Sequence, residues 1–107
     1  MSTDPQAVYE DVADELVITD RAARSQMFSM PCLKYGSKAF AGFHHGAMVF
    51  KLTGQAHADA LALPGAHLFD PGGSGRLWRE WVEVPATHSA RWPELGRSAL
   101  EYLSGSR

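Results

Sequence analysis

The sequence predicts an α+β domain of two layers, in which helices pack against an antiparallel sheet of about five strands. Three observations indicate this class. Apolar residues alternate with a period of two along several short segments in the middle of the chain. Glycine-containing turns join these segments, and stretches with a period near 3.6 lie before and after them. A meander of strands cannot bury its own apolar face, so we expect the helices to cover it.

Length, charge and cysteine content restrict the class of protein further. A chain of 107 residues can form one core and is too short for two, so we predict a single domain over residues 1–107. The net charge of −2 argues against a general binder of nucleic acids or anionic membranes. The sequence lacks the pattern of a signal peptide, and Cys32 is its single cysteine. We therefore expect a cytoplasmic protein with no membrane partner.

The first predicted element is a helix from about Pro5 to Val17. Thr3 or Asp4 can cap this helix, and Pro5 lies in the first turn, where its missing N–H costs little. Apolar side chains recur at helical spacing, while acidic side chains occupy the other side. We interpret the acidic run as a solvated helix face.

The middle of the chain predicts three strands joined by two tight turns. The first strand is interrupted at Pro31, because proline has no N–H to donate to a strand ladder. Gly36 and His45-Gly46 supply residues that tolerate positive φ at the two turns. The predicted strands are Arg24–Phe28 continued by Cys32–Tyr35, then Lys38–Phe43, then Ala47–Leu52.

The remainder of the chain predicts a helix, two strands and a final helix. Along the last strand, strict alternation places Trp78 on one face with Val82 and Val84, and Trp81 on the other face. The order of elements is therefore α-β-β-β-α-β-β-α. The predicted elements are a helix from Thr53 to Leu63, the strands His67–Phe69 and Leu77–Val84, and a helix from about Trp92 to Leu103.

Several of these segments together resemble a known family. They are Met27-Phe28-Ser29-Met30, the glycine turn at Gly36, Phe40-Ala41-Gly42, the segment 47–52, Trp81-Val82-Glu83-Val84-Pro85 and the closing helix, with Ser29 standing where the family has a glycine. The chain resembles the TfoX N-terminal domain-like family of small bacterial domains, named after a regulator of competence for DNA uptake. The resemblance covers about four-fifths of the chain. It implies an antiparallel sheet with packed helices and a regulatory role.

Histidines and nucleophiles do not form a recognisable motif. His44 and His45 are adjacent, so a regular strand would point them to opposite faces, and no metal-ligand spacing is present. Ser74 and Cys32 lack a nucleophile-elbow sequence, and Cys32 is interpreted as a small buried residue. We predict no catalytic residue, no metal site and no cofactor.

The glycine-rich loop Pro71–Gly75 has two interpretations. With Arg76 and Arg79 nearby, its N–H groups could form an anion-binding nest. It lacks the ending of a P-loop and leads into a strand rather than a helix. A hairpin loop without a ligand is therefore the preferred interpretation.

Basic and aromatic residues on the strands are the best candidates for a binding site. Tryptophan and arginine are enriched at protein interfaces, and bases of single-stranded nucleic acids stack on aromatic rings. The structural alternative is that Trp78 belongs to the core, Trp81 covers a sheet edge and the lysines keep that edge soluble. The candidate binding residues are Lys34, Lys38, Lys51, Arg76, Trp78, Arg79 and Trp81.

These observations favour a non-enzymatic, cytoplasmic binding or regulatory module that acts through protein contacts. A homodimer formed through the sheet edge is one form of such a contact. A nucleic-acid-binding regulatory domain is the first alternative and requires a continuous positive surface. A small enzyme with an unrecognised site is the second, and it requires a deep pocket with converging titratable groups.

Overall fold

The computed structural model describes residues 4–27, 30–73 and 75–105. All strand pairs are antiparallel, and the order across the sheet is β1-β2-β3-β4-β6-β5, which confirms the predicted α+β class. None of the described helices combines the length and apolar character that a membrane span requires. The elements are α1 (Pro5–Asp20), β1 (Ala23–Met27), β2 (Met30–Tyr35), β3 (Lys38–His44), β4 (Ala47–Lys51), α2 (Gly54–Leu61), β5 (His67–Phe69), β6 (Trp78–Val84), a 3-10 helix (Ala86–Arg91) and α3 (Trp92–Ser104).

The segment predicted as one interrupted strand forms two strands, so the described sheet has six strands rather than about five. Met27 pairs with Met30 and Ser25 pairs with Cys32, which makes β1 and β2 an antiparallel pair. Pro31 does not interrupt β2 but lies within it, opposite Gln26. The predicted end of the first strand, Phe28, lies outside the described residues.

Local signals in the sequence correctly predicted the turns and the α1 cap. The Gln6 N–H donates to Asp4 Oδ1 at 3.4 Å, whereas the alternative cap Thr3 lies outside the described residues. At the turn between β3 and β4, His45 and Gly46 have φ angles of 50° and 83°. Positive φ at both central residues is typical of the type I′ turn that joins hairpin strands.

The three described α-helices pack against one face of the sheet. The main core contains Leu16 of α1, Ala60 of α2 and Trp92 of α3. It also contains strand residues that face one another across the register, such as Phe50 and Val82. Residues two apart along a strand share a face, so this core lies on one side of the sheet, over β2, β3, β4 and β6. We call the other side the open face.

The open face carries a second apolar cluster to which no described helix contributes. Met30, Val49, Phe69 and Trp81 are buried there, with Met27, Ala39 and Trp78 packed against them. Gly42 allows this packing, because a Cβ atom at that position would lie 2.7 Å from Met30 Cε and 3.3 Å from Val49 Cγ2. The methionine side chain therefore lies over the glycine.

The alternation predicted for β6 is wrong at its first residue. Leu68 pairs with Val82, but the next residue, Phe69, pairs with Trp78 instead of Trp81. This register shift is a bulge in β6, and bulges change the face on which a side chain lies. The rings of Trp78 and Trp81 consequently lie together, with centroids 5.7 Å apart, in the cluster on the open face. Trp81 lies on an inner strand and does not cover a sheet edge.

Candidate functional site

The register places the five basic candidate residues at one end of the sheet. In an antiparallel sheet, the end of one strand lies beside the start of its neighbour. Lys34 lies near the end of β2, Lys38 begins β3, and Lys51 ends β4, where it pairs with Trp81. Arg76 precedes β6, and Arg79 is its second residue. From β2 to β5 this end measures about 20 Å, since strands lie about 4.8 Å apart. We call these five residues the basic end.

The Lys51 side chain interacts with two other residues of the protein, Glu80 and Tyr102. Its Nζ lies 3.7 Å from Glu80 Oε1 and 5.9 Å from the centroid of the Tyr102 ring. The Tyr102 hydroxyl donates to Glu80 Oε2 at 2.7 Å, and this hydrogen bond raises the pKa of Tyr102. Lys51 therefore serves partly to attach α3 to β4, and it contributes less free charge than its position suggests.

Arg79 has an exposed side chain on a well-anchored backbone. The imidazole of His57 in α2 donates from Nε2 to the Arg79 carbonyl oxygen, at 2.8 Å. The carbonyl oxygen of the next residue, Glu80, accepts a hydrogen bond from the Leu52 N–H at 2.8 Å. These bonds fix the start of β6, while the guanidinium stays accessible to a partner.

An apolar surface borders the basic end. Trp78 is half-buried and packs edge-on against Phe69, with ring centroids 5.5 Å apart. Leu77, the preceding residue, is 49% exposed. Trp81 is only 8% exposed, so of the two predicted tryptophans Trp78 is the one that can contact a partner. The exposure of Leu77 was not predicted, because the residue was assigned to the strand; its position between Arg76 and Trp78 was the available signal.

The glycine-rich loop donates two of its N–H groups to Asp70, the residue that precedes it. The Gly75 N–H donates to Asp70 Oδ2 at 2.9 Å, and the Gly73 N–H donates to the Asp70 carbonyl oxygen at 3.2 Å. Two N–H groups that an anion-binding nest would use therefore already have acceptors within the chain, one of them a carboxylate oxygen. This geometry favours the hairpin-loop interpretation. Ser74 lies outside the described residues.

Histidines gather at the opposite end of the sheet. The turn brings the rings of His44 and His45 into a stack, with centroids 3.9 Å apart, although regular alternation predicted opposite faces. His44 Nδ1 lies 3.7 Å from Glu83 Oε1, and His67 Nε2 lies 3.6 Å from Glu83 Oε2. Within the described part of the chain, no three potential ligands are arranged to hold a metal ion. The cluster pairs one carboxylate with two imidazoles at the surface.

A groove of about 380 Å³ lies between α1 and the start of α3. Its described lining contains the carboxylates of Asp11 and Glu15 and no imidazole or thiol. Glu15 is already engaged, because Arg97 Nη1 donates to its Oε2 at 2.7 Å. The groove is lined by Val8, Asp11, Val12, Glu15, Ser89, Ala90 and Pro93.

Cys32 has the character predicted for it. The residue is fully buried in β2, and its burial raises the pKa of the thiol, although the Lys34 charge opposes this effect. A reactive cysteine requires the opposite, a thiolate stabilised near neutral pH. Cys32 is therefore a packing residue.

Comparisons of the chain with protein-family models, with curated proteins and with solved structures found no match. The function must therefore be inferred from the chemistry of the basic end and its apolar border.

Proposed function

We propose that the protein is a non-enzymatic binding module that recognises an acidic segment of a partner protein through the basic end, Leu77 and Trp78. One observation carries this proposal. Sheet topology gathers basic residues from three separate parts of the chain beside two accessible apolar side chains. Tryptophan and arginine side by side are the residues most often found at the centre of protein interfaces. The regulatory role that the family resemblance implies would then be exerted through this contact.

The two kinds of residue have different tasks in such a contact. Leu77 and Trp78 lose apolar surface to the partner, which supplies most of the affinity. Arg76 and Arg79 can each bind a carboxylate in a bidentate manner, which selects an acidic segment and fixes its orientation. Because the backbone of β6 is anchored by His57 and Leu52, little conformational order has to be created on binding.

The surface suits a protein better than a single-stranded nucleic acid. Binding of single strands needs several accessible aromatic rings for successive bases. Here Trp81 is buried, which leaves Trp78 as the accessible ring among the candidates. Lys51 is paired with Glu80, and the exposed Leu77 has no role in phosphate binding. The nucleic-acid alternative rests on the same gathering of cations and is tested alongside the proposal.

Fluorescence anisotropy can separate these possibilities. The probes are a labelled peptide rich in glutamate with interspersed phenylalanine and leucine, the same peptide with lysine replacing glutamate, and a labelled single-stranded DNA. We expect the acidic peptide to bind and the basic peptide not to bind. Arg79→Glu should weaken binding of the acidic peptide at least tenfold, which corresponds to about 1.4 kcal/mol.

Arg91→Glu is the matched control, since Arg91 is an exposed arginine in the 3-10 helix and not at the basic end. It should leave the affinity for the acidic peptide unchanged. Equal binding of both peptides, or equal effects of the two substitutions, would refute the proposed site. Tight binding of DNA that weakens steeply with salt would favour the nucleic-acid alternative instead.

A further inference from the structure

The two edges of the sheet are protected to different degrees. Natural proteins guard edge strands by making them short or by placing lysine, proline or a bulge on them. β5, at one edge, has only three residues. β1, at the other edge, has five residues with the sequence ARSQM and contains neither lysine nor proline. Its outer side is paired with none of the described strands.

The register shows which backbone groups of β1 are available. Pro31 lies opposite Gln26 and has no N–H, so these two residues cannot exchange the two hydrogen bonds of a bonded pair. Bonded and non-bonded pairs alternate, so Ser25 and Cys32 form a bonded pair. The N–H and C=O groups of Gln26 and Arg24 consequently point away from β2, where a further strand can accept and donate.

The one charged side chain of β1 is neutralised within the chain. Arg24 Nη1 lies 2.7 Å from Glu10 Oε1, and Nη2 lies 2.5 Å from Asp14 Oδ1, both on α1. This arrangement draws the guanidinium toward the helical layer. An arginine that would normally repel a second basic strand therefore does not protect this edge.

We propose that β1 pairs antiparallel with β1 of a second copy of the chain, about a two-fold axis at Ser25. The two six-stranded sheets then join into one continuous sheet. This inference concerns the sheet edge and does not depend on the proposed binding of an acidic partner at the basic end.

The sequence of β1 is compatible with this two-fold axis, which requires a strand to be complementary to itself. An axis at Ser25, the central residue, pairs all five residues. Arg24 then faces Gln26 of the copy, and the N–H and C=O groups that both residues direct away from β2 can form the two hydrogen bonds of a bonded pair. Ala23 faces Met27 of the copy. Ser25 faces its own equivalent as a non-bonded pair, in which Cα atoms lie about 4.5 Å apart. An axis at Arg24 would instead place only Ala23 to Ser25 of the two strands opposite one another, so the central register pairs more of β1.

A proline substitution tests the backbone pairing directly. Gln26→Pro removes the outward N–H without removing a bond to β2, and proline is tolerated on edge strands. Gln26→Ala keeps the N–H and changes only the side chain. In sedimentation equilibrium from micromolar to millimolar concentration, the wild type and Gln26→Ala should reach twice the monomer mass of 11.7 kDa. Gln26→Pro should weaken the dimer about tenfold or more, because each of the two copies loses one hydrogen bond across the interface.

Disulfide trapping tests the register. Cys32 pairs with Ser25 and would capture a new thiol there, so the experiment uses a Cys32→Ala background. Ser25→Cys should form an intermolecular disulfide on oxidation. Gln26→Cys should not, because its equivalent lies two residues further along the copy, beyond the Cα separation of about 7 Å that a disulfide spans. A wild type that stays monomeric, a Gln26→Pro variant that dimerises normally with unchanged circular dichroism, or equal cross-linking at both positions would overturn the proposal.

Discussion

Substitution of Gly42 tests the packing of the open face. In Gly42→Ala, the new Cβ would lie 2.7 Å from Met30 Cε, 3.2 Å from the Pro31 carbonyl oxygen and 3.3 Å from Val49 Cγ2. The methionine end can move, but it is 95% buried now and would lose its contact with Val49, while the backbone oxygen cannot retreat easily. Overpacking of this kind costs about 1–3 kcal/mol. The reduced entropy of the unfolded chain offsets about 0.4–1 kcal/mol of that cost.

The middle of these two ranges gives an expected net loss in the free energy of unfolding of about 1.3 kcal/mol, or a fall in Tm of roughly 5–10 °C for a domain of this size. Urea unfolding and calorimetry both measure it. If the clash with Met30 is the cause, Met30→Ala should cost about 1 kcal/mol less in the Gly42→Ala protein than in the wild type.

Met48→Ala is the matched control for this cycle, because Met48 is buried on the opposite face of the sheet. Its cost should be the same in both backgrounds within about 0.5 kcal/mol. A Gly42→Ala protein as stable as the wild type, or an equal coupling for both methionines, would show that Met30 does not rest on Gly42 as described.

Three further predictions concern stability measured by urea unfolding. Burial raises the pKa of Tyr9 above its ordinary value of 10.0, so the folded state keeps this proton more strongly and the free energy of unfolding should fall as the pH rises above 10.0. Tyr9→Phe should reduce that fall; an unchanged alkaline profile would contradict the assignment. Trp81→Ala should cost about 3–5 kcal/mol, and Trp78→Ala less, because its ring is partly exposed; the reverse order would be inconsistent with the bulge. Arg97→Ala should cost less than about 1 kcal/mol despite its 2.7 Å ion pair with Glu15, since both side chains are nearly half exposed; a larger cost would assign this pair a structural role.

Features determined by neighbouring residues were the most predictable from the sequence. The turn residues Gly36 and His45-Gly46 and the start of the last helix at Trp92 were predicted correctly. Each of these features follows from the backbone preference of one or two residues. The end of α1 had no such sequence signal, because Arg21 rather than a glycine adopts the left-handed C-cap conformation, with φ of 62°. The helix therefore continues to Asp20, beyond the predicted Val17.

The separation of β1 from β2 had no strong local signal. The residues between Met27 and Met30 are Phe28 and Ser29, not the Asn-Gly or Asp-Gly pair that indicates a two-residue hairpin. Pro31 was predicted to interrupt a strand. Its pairing with Gln26 shows instead that the position of its missing N–H faces away from β1. The sequence pattern could not distinguish a bent strand from a hairpin here.

The candidate residues were predicted from the sequence, but their arrangement was not. Lys38 and Arg79 share one end of the sheet because β6 pairs with β4, a contact between distant parts of the chain. Alternation also failed at Trp78, because a bulge depends on how β5 and β6 fit together and not on either strand alone. Long-range pairing thus decided which candidate side chains are accessible.

The position of β6 between β4 and β5 also orders the events of folding. β5 precedes β6 in the chain, yet its described pairing is with β6 only. The neighbours β1 to β4 pair across short connections, so little loop-closure entropy opposes their formation. β5 and β6 are joined by a short connection and can pair with each other first, whereas β6 has to close a longer loop to reach β4. Backbone amides of β5 and β6 should therefore gain protection from hydrogen exchange after those of β1 to β4 during refolding.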